Sequence, residues 1–235
     1  MYVNGRQVRG AVPYETIEAV IKEELEKARA IDKKGLTPDK LYWEIIKNGK
    51  VFTPLDTKEN TFKAPAPFKG VKDGKIVITM YSDFQCPYCS RIKKPLYELL
   101  THYPKQMKLE FRHFPLGFHK EAHLAAQASL AADAQGKFWE FHDVLFANQK
   151  ALKRADLERH AKALGLDMTK FNKALDDGTY KDAVDVQMSE GKRAGVRGTP
   201  SLYINGRKFQ APSRDVATFK KIIDKEILAK SASPE

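Results

Sequence analysis

Cys86 and Cys89, three positions apart, are the only thiols in the 235-residue chain. Spaced as Cys-Pro-Tyr-Cys, they can close a disulfide on each other or exchange one with another molecule. Their setting decides which sulfur attacks. Ile76–Val77–Ile78, short, β-branched and preceded by Gly74, reads as a buried strand. A helix is expected to start at Cys86, because Pro87 suits a first turn, where its missing N–H has no intrahelical partner to lose. Ile92, Leu96, Leu99 and Leu100 then share one apolar face, and Pro95 should kink the helix. Free N–H groups and the positive dipole end at that start favour a thiolate on Cys86 and make it the attacking sulfur. Cys89, one turn further in, can resolve the mixed disulfide. The competing reading is half of a zinc knuckle. It needs two more ligands, and in the absence of a second cysteine pair only His119 and His123 could supply them, with strain.

Four stretches carry a resemblance: SDFQCPYC, RHFPLGFH, GKFWEFHDVLF and VRGTPSLYINGR. Together they resemble the DsbA-like thiol-disulfide oxidoreductases of the thioredoxin superfamily over about Val71 to Ile227. The resemblance implies that Pro200 is a cis proline lying against the cysteines. It also implies that the Thr199 backbone pairs with an extended client segment by strand addition. Pro87, Tyr88 and Phe84 are expected to complete the substrate surface, the last two with apolar area for an unfolded client.

Two departures within the resemblance bear on function. Thioredoxin and the oxidase DsbA carry a buried acid six residues before the first cysteine; here that place is Met80, and the nearest acid is Asp83. This pattern, with Thr ahead of the cis proline, is similar to the periplasmic disulfide isomerases. Pro87–Tyr88 also lacks the histidine that the strongest oxidases place between their cysteines. The couple should therefore lie below about −120 mV, the value of the most oxidising members.

Composition narrows the classes further. A hydrophobic content of 42% is ordinary for a globular chain, and no run approaches the roughly 20 apolar residues of a membrane span. The net charge of +11 is spread among acids along helical stretches, without interleaved aromatics, so a solvated basic surface is expected and nucleic acid is not. Met1 leads into polar and β-branched residues without a signal-peptide pattern, and the numbering is read as starting inside a longer precursor. The periplasmic or otherwise extracytoplasmic placement rests on the resemblance.

At the N-terminus, Tyr2–Val3–Asn4–Gly5–Arg6 repeats Tyr203–Ile204–Asn205–Gly206–Arg207. Asn-Gly between short strands signals a type I′ hairpin. An amphipathic helix follows each copy, with stripes Ile17, Val20, Ile21, Leu25 and Val216, Phe219, Ile222, Ile223, Ile227. Residues 1–60 are thus an appendage: either the remnant of a tandem thioredoxin-like domain or an arm for homo-oligomerisation. Within it Thr37 caps a short helix with Pro38 in its first turn, closing at Asn48–Gly49, and a proline-bearing linker follows with an edge strand near Thr61–Lys63. Residues 61–230 form the main domain, and 231–235 a tail. From Met107 to Phe114 a strand alternates Met, Leu, Phe and His inward with Lys, Glu and Arg outward. A helical block over about 119–195 has Gly136, Gly165, Gly178 and Gly195 as stops and Asp167 as a cap. The expected class is α/β: a thioredoxin fold with an inserted helical subdomain, preceded by a hairpin-helix appendage.

Other chemistry is weaker. His113, His119 and His123 lack the carboxylate spacing of a metalloprotease, and Ser82, Ser129 and Ser201 lack a nucleophile elbow. Trp139, with Phe138 and Phe141, has the spacing of core. The expectation is a thiol-disulfide oxidoreductase leaning to isomerase, free of cofactor and metal, acting on protein thiols and disulfides with an unidentified redox partner. The alternatives are a non-catalytic client-binding or metal-binding module, and a kappa-type glutathione transferase, against which the intact second cysteine argues.

Overall fold

The computed structural model describes residues 2–8, 12–32, 35–47 and 53–225. The chain forms two compact units, Met1–Thr53 and Pro54–Glu235. In the first, β1 (Tyr2–Val3) pairs antiparallel with β2 (Arg6–Gln7). Asn4 and Gly5 both take positive φ, 47° and 79°, as a type I′ turn requires. Two helices follow, α1 (Tyr14–Asp32) and α2 (Pro38–Ile46). Arg6 reaches Glu23, tying the hairpin to α1. The expected stripe on α1 is only half covered: Val20 is buried, while Ile21 and Leu25 are 47% and 45% exposed. Thr37 stands at the N-cap of α2 in extended geometry but its side chain makes no cap hydrogen bond. The helix closing expected at Asn48–Gly49 lies outside the described residues, as do Ile227 and the 231–235 tail.

The second unit is built on a six-stranded sheet of order β3-β8-β7-β5-β6-β4. Its strands are β3 (Leu55–Glu59), β4 (Phe68–Gly70), β5 (Ile76–Ser82), β6 (Met107–His113), β7 (Ser201–Ile204) and β8 (Arg207–Phe209). β5 and β6 run parallel, joined through α3 (Pro87–His102); β5 and β7 are antiparallel. Between β6 and β7 lie α4 (Ala122–Asp133), α5 (Phe138–Ala147), α6 (Arg154–Ala163), α7 (Met168–Asp176) and α8 (Lys181–Arg193), the expected helical block. Asp167 caps α7, accepting from the Lys170 N–H at 3.1 Å. α9 (Val216–Ile223) follows β8, capped by Asp215. This is the anticipated α/β architecture.

Strand alternation sorts the core. Ile76, Ile78 and Met80 of β5, with Leu202 and Ile204 of β7, belong to the large cluster that holds Ile92, Leu96 and Leu99 of α3 and Phe219 and Ile223 of α9. Tyr81 and Tyr203 form a second cluster with Phe114 and Val196. β5, the central strand, is therefore covered on both sides. The Asn205–Gly206 turn repeats the geometry of Asn4–Gly5, with φ of 46° and 75°. Its Asn205 carboxamide accepts from the Val77 N–H at 2.7 Å, which holds the hairpin against β5.

Two expectations need correction. The edge strand is Leu55–Glu59, paired with β8, rather than Thr61–Lys63, and Phe68–Gly70 adds a second edge on β6; the stretch expected as linker frames the sheet. Arg112 does not point to solvent: α8 covers its face, and its guanidinium is buried against Glu190 at 2.7 Å and Glu110 at 3.2 Å. Pro95 lies inside α3, where it is expected.

Candidate active site

β5 ends at Ser82, and Asp83–Phe84–Gln85 turns the chain into α3. Cys86 is the N-cap, extended at φ −76° and ψ 118°, with Pro87 in the first turn. The Cys86 N–H donates to the Asp83 carbonyl at 3.1 Å, and the Cys86 carbonyl accepts the first helical bonds from the N–H groups of Cys89 and Ser90. The Asp83 side chain, fully buried, organises the turn. One oxygen accepts from the Gln85 N–H at 2.7 Å; the other accepts from the Leu116 N–H and meets His119 Nδ1, both at 2.8 Å.

On the other side stands the Thr199–Pro200 peptide, which is cis. The Cys86 sulfur lies 3.4 Å from the Thr199 carbonyl oxygen, to which it donates while protonated. Cysteines and proline loop, distant in sequence, thus meet. Cys86 retains 4% of its surface and Cys89 none, so the pair is more enclosed than an attacking sulfur on an open helix end would be.

The two thiols are driven apart electrostatically. Cys86 is lowered from 9.0 to about 5, first by the hydrogen bond from the Cys89 thiol, with further help from Thr199 and from the N–H groups of Cys89 and Tyr88. Burial and the same bond raise Cys89. The helix start contributes as expected, but the partner thiol contributes more. The buried hydroxyls of Thr199 and Ser82 have no other hydrogen-bond partner, and they favour the ionised forms of Cys86 and Cys89 respectively.

Among the remaining expected residues, Pro87 is exposed and Tyr88 is 61% exposed, its ring under the Arg91 guanidinium at 5.1 Å. Phe84 is a correction. At 1% exposure it stacks on Phe111 at 5.3 Å and touches Phe146 at 5.0 Å, so it is core and offers no surface to a client. Its place in a tight turn, with no periodicity to read, hid this.

The histidines are each engaged apart from one another. His119 meets Asp83, His123 meets Asp185 at 3.1 Å, and His113 is buried with its Nε2 3.3 Å from Ser129 Oγ. Among the described residues no three His, Cys, Asp or Glu side chains come together as metal ligands.

Two site residues escape sequence reasoning. Arg214, just before α9, is a cation close enough for both sulfurs to oppose the lowering of its guanidinium by desolvation. Gln149, in the loop after α5, donates from Nε2 to the carbonyls of Phe84 at 2.8 Å and Cys86 at 2.9 Å. Neither has a local signal: each acts on the turn from more than sixty residues away in the chain.

The thioredoxin family matches residues 64–225. In solved structures the chain is similar to BdbD of Bacillus subtilis, with a TM-score of 0.64 and 22% identity over 75% of this chain and 100% of that one. A thioredoxin-like oxidoreductase of Silicibacter pomeroyi follows, with TM-score 0.62 and 24% identity over 72% of this chain and 94% of that one. The thiol-disulfide exchange protein alpha-DsbA2 of Wolbachia pipientis gives 0.60 and 22% over 68% and 86%. These likenesses concern the fold. By sequence, the chain is 39% identical over 147 residues to the Na(+)/H(+) antiporter NhaA 3 of Salinispora tropica, which covers 61% of this chain and 22% of that protein. The Na(+)/H(+) antiporter NhaA of Herminiimonas arsenicoxydans is 31% identical over 156 residues, 66% of this chain and 25% of that protein. The chain spans about a quarter of the length of the curated relatives it matches.

Proposed function

The chain belongs to the thioredoxin family, in a DsbA-like form, and from that premise we propose that it exchanges disulfides with protein clients through Cys86 and Cys89. The observation that carries this reading is the N-cap sulfur of Cys86, with its lowered pKa, 3.4 Å from the carbonyl of the cis Thr199–Pro200 peptide. The Cys86 thiolate attacks one sulfur of a client disulfide, the other leaving as a thiol; Cys89 then attacks the mixed disulfide, releasing the reduced client and closing Cys86–Cys89. In the reverse direction the client is oxidised and the pair reduced. Thr199 and Pro200 shape the cleft, and Pro87 and Tyr88 are its exposed apolar border.

The isomerase lean rests on Met80 and Thr199, and the extracytoplasmic setting on the likeness to DsbA-type folds. The names of the antiporter relatives describe proteins of which the matching stretch is a quarter, so ion transport is not carried over. Among the described residues no helix is long and apolar enough to cross a membrane. Residues 1–53 are read as an appendage and the catalytic domain as beginning at Pro54, because β3 (Leu55–Glu59), expected within an appendage of residues 1–60, is a strand of the catalytic sheet. Exposed Ile21, Leu25, Tyr42 and Trp43 support self-association through it, which a monomer in sedimentation at micromolar concentration would exclude.

The test is refolding of a scrambled multi-disulfide substrate, with the reduction potential measured in glutathione buffers. Isomerase action requires recovery of native pairings without net oxidation, and a potential below about −120 mV. Cys86→Ala should abolish turnover and Cys89→Ala should trap mixed disulfides; full activity in Cys86→Ala would overturn the reading.

A further inference from the structure

Gln149 stands in the loop between α5 and α6, and both its contacts fall on the active-site turn. A carboxamide nitrogen carries two N–H donors. Here one meets the Phe84 carbonyl at 2.8 Å and the other the Cys86 carbonyl at 2.9 Å. The loop presenting it is itself pinned: Asn148 Nδ2 donates to the Val144 carbonyl at 2.9 Å, and the Ala151 N–H to the Asn148 carbonyl at 2.8 Å. Phe146 and Leu152, on either side, are buried in the large core cluster.

The Cys86 carbonyl already accepts from the N–H groups of Cys89 and Ser90, so a third donor arriving from outside the helix fixes the direction in which that peptide group points. The orientation of this carbonyl sets the ψ of 118° that takes Cys86 out of the helix. That extended ψ is what leaves the Cys86 sulfur at the helix mouth, against the Thr199 carbonyl and in reach of the Tyr88 and Cys89 N–H groups. We propose that Gln149 is a positioning residue for the disulfide exchange, by which the inserted helical block holds the Cys86 N-cap in the geometry that keeps its sulfur reactive. The proposal rests on the redox reading of Cys86 above. Its chemical requirement is specific: two donors on one atom, at the end of a side chain of this length. Glutamate has the length but lacks the donors, and alanine has neither.

The experiment is the pH titration of Cys86 in the reduced, full-length protein, followed by thiolate absorbance near 240 nm and by alkylation rate, for wild type, Gln149→Ala and Gln149→Glu. Gln149 is partly exposed on a loop, outside the buried core, and the ionisation midpoint is read on folded protein, so a loss of global stability alone does not move it. The midpoint is expected to rise in Gln149→Ala by at least about half a pH unit, a threefold change in the thiol-thiolate ratio. It should rise further in Gln149→Glu, whose charge adds to the loss of donors. Unchanged midpoints in both variants would overturn the positioning role while leaving the redox function intact. A wild-type Cys86 that titrates like an ordinary thiol would instead overturn the reading on which the proposal rests.

Discussion

The sulfur of Cys86 and the carbonyl oxygen of Thr199, 113 residues apart in sequence, lie 3.4 Å from each other. In the proposed exchange, a client strand hydrogen-bonding to the Thr199 backbone would bring its own sulfur alongside Cys86, and binding and chemistry would share one peptide unit.

Cys86 should titrate at about 5 in the reduced protein, far below its ordinary 9.0. Alkylation by iodoacetamide should therefore be nearly independent of pH from 7 to 9 and fall as pH drops through about 5. Because the folded value lies below the unfolded one, the ionised thiolate stabilises the reduced fold, fully so above the unfolded pKa and not at all below the folded one. The reduced protein should melt above the oxidised protein at neutral pH, and the gap should narrow toward pH 5 in calorimetry.

Removing the Asp83 carboxylate should loosen the turn before the cysteines. Asp83→Ala strands the Gln85 and Leu116 N–H groups, both now paired to it. Both N–H groups are half-buried, and each stranded donor costs about 1–3 kcal/mol, so urea denaturation should show a loss of about 2–6 kcal/mol. His119→Ala, which leaves both N–H partners in place, should lose far less.

Acid should destabilise the domain partly through His113. Burial, with the charges of His142 and His123 behind it, lowers this imidazole from 6.5 to about 3. Between those values the unfolded chain holds a proton that the folded one refuses, so stability falls as pH falls, by up to about 1.4 kcal/mol per pH unit. Urea midpoints at pH 7 and pH 4.5 should differ less in His113→Leu than in wild type. Ser129 keeps its bond to the Ala126 carbonyl in that variant.

Gly191 permits α8 to lie close on the sheet. A Cβ there would come within 2.7 Å of the Tyr81 ring and 3.0 Å of Phe114, both buried. Gly191→Ala should cost about 1–3 kcal/mol through overpacking, seen as a lower Tm with the Cys86 titration unchanged.

Much of this was legible in the residues because the signals are local. The cysteine spacing, the Asn-Gly turns and the glycine stops each dictate backbone geometry within a few positions, and β5 announces itself by β-branched residues. What escaped depends on distant partners. Leu55–Glu59 buries one side chain of five and is a strand because β8 lies beside it. Arg112 reads as a solvent residue until α8 brings Glu190 over it. Gln149 has no pattern at all, since its role arises from two carbonyls more than sixty positions upstream.

Phe84 sits two residues before Cys86 and has its ring among Phe111, Phe146 and His142. The turn is therefore moored between β6 of the sheet and α5 of the inserted block. A void opened beneath that ring, by truncating Phe111 or Phe146, would slacken the mooring and shift sulfur acidity from a distance, so repacking alone is a route by which redox strength can drift between related chains.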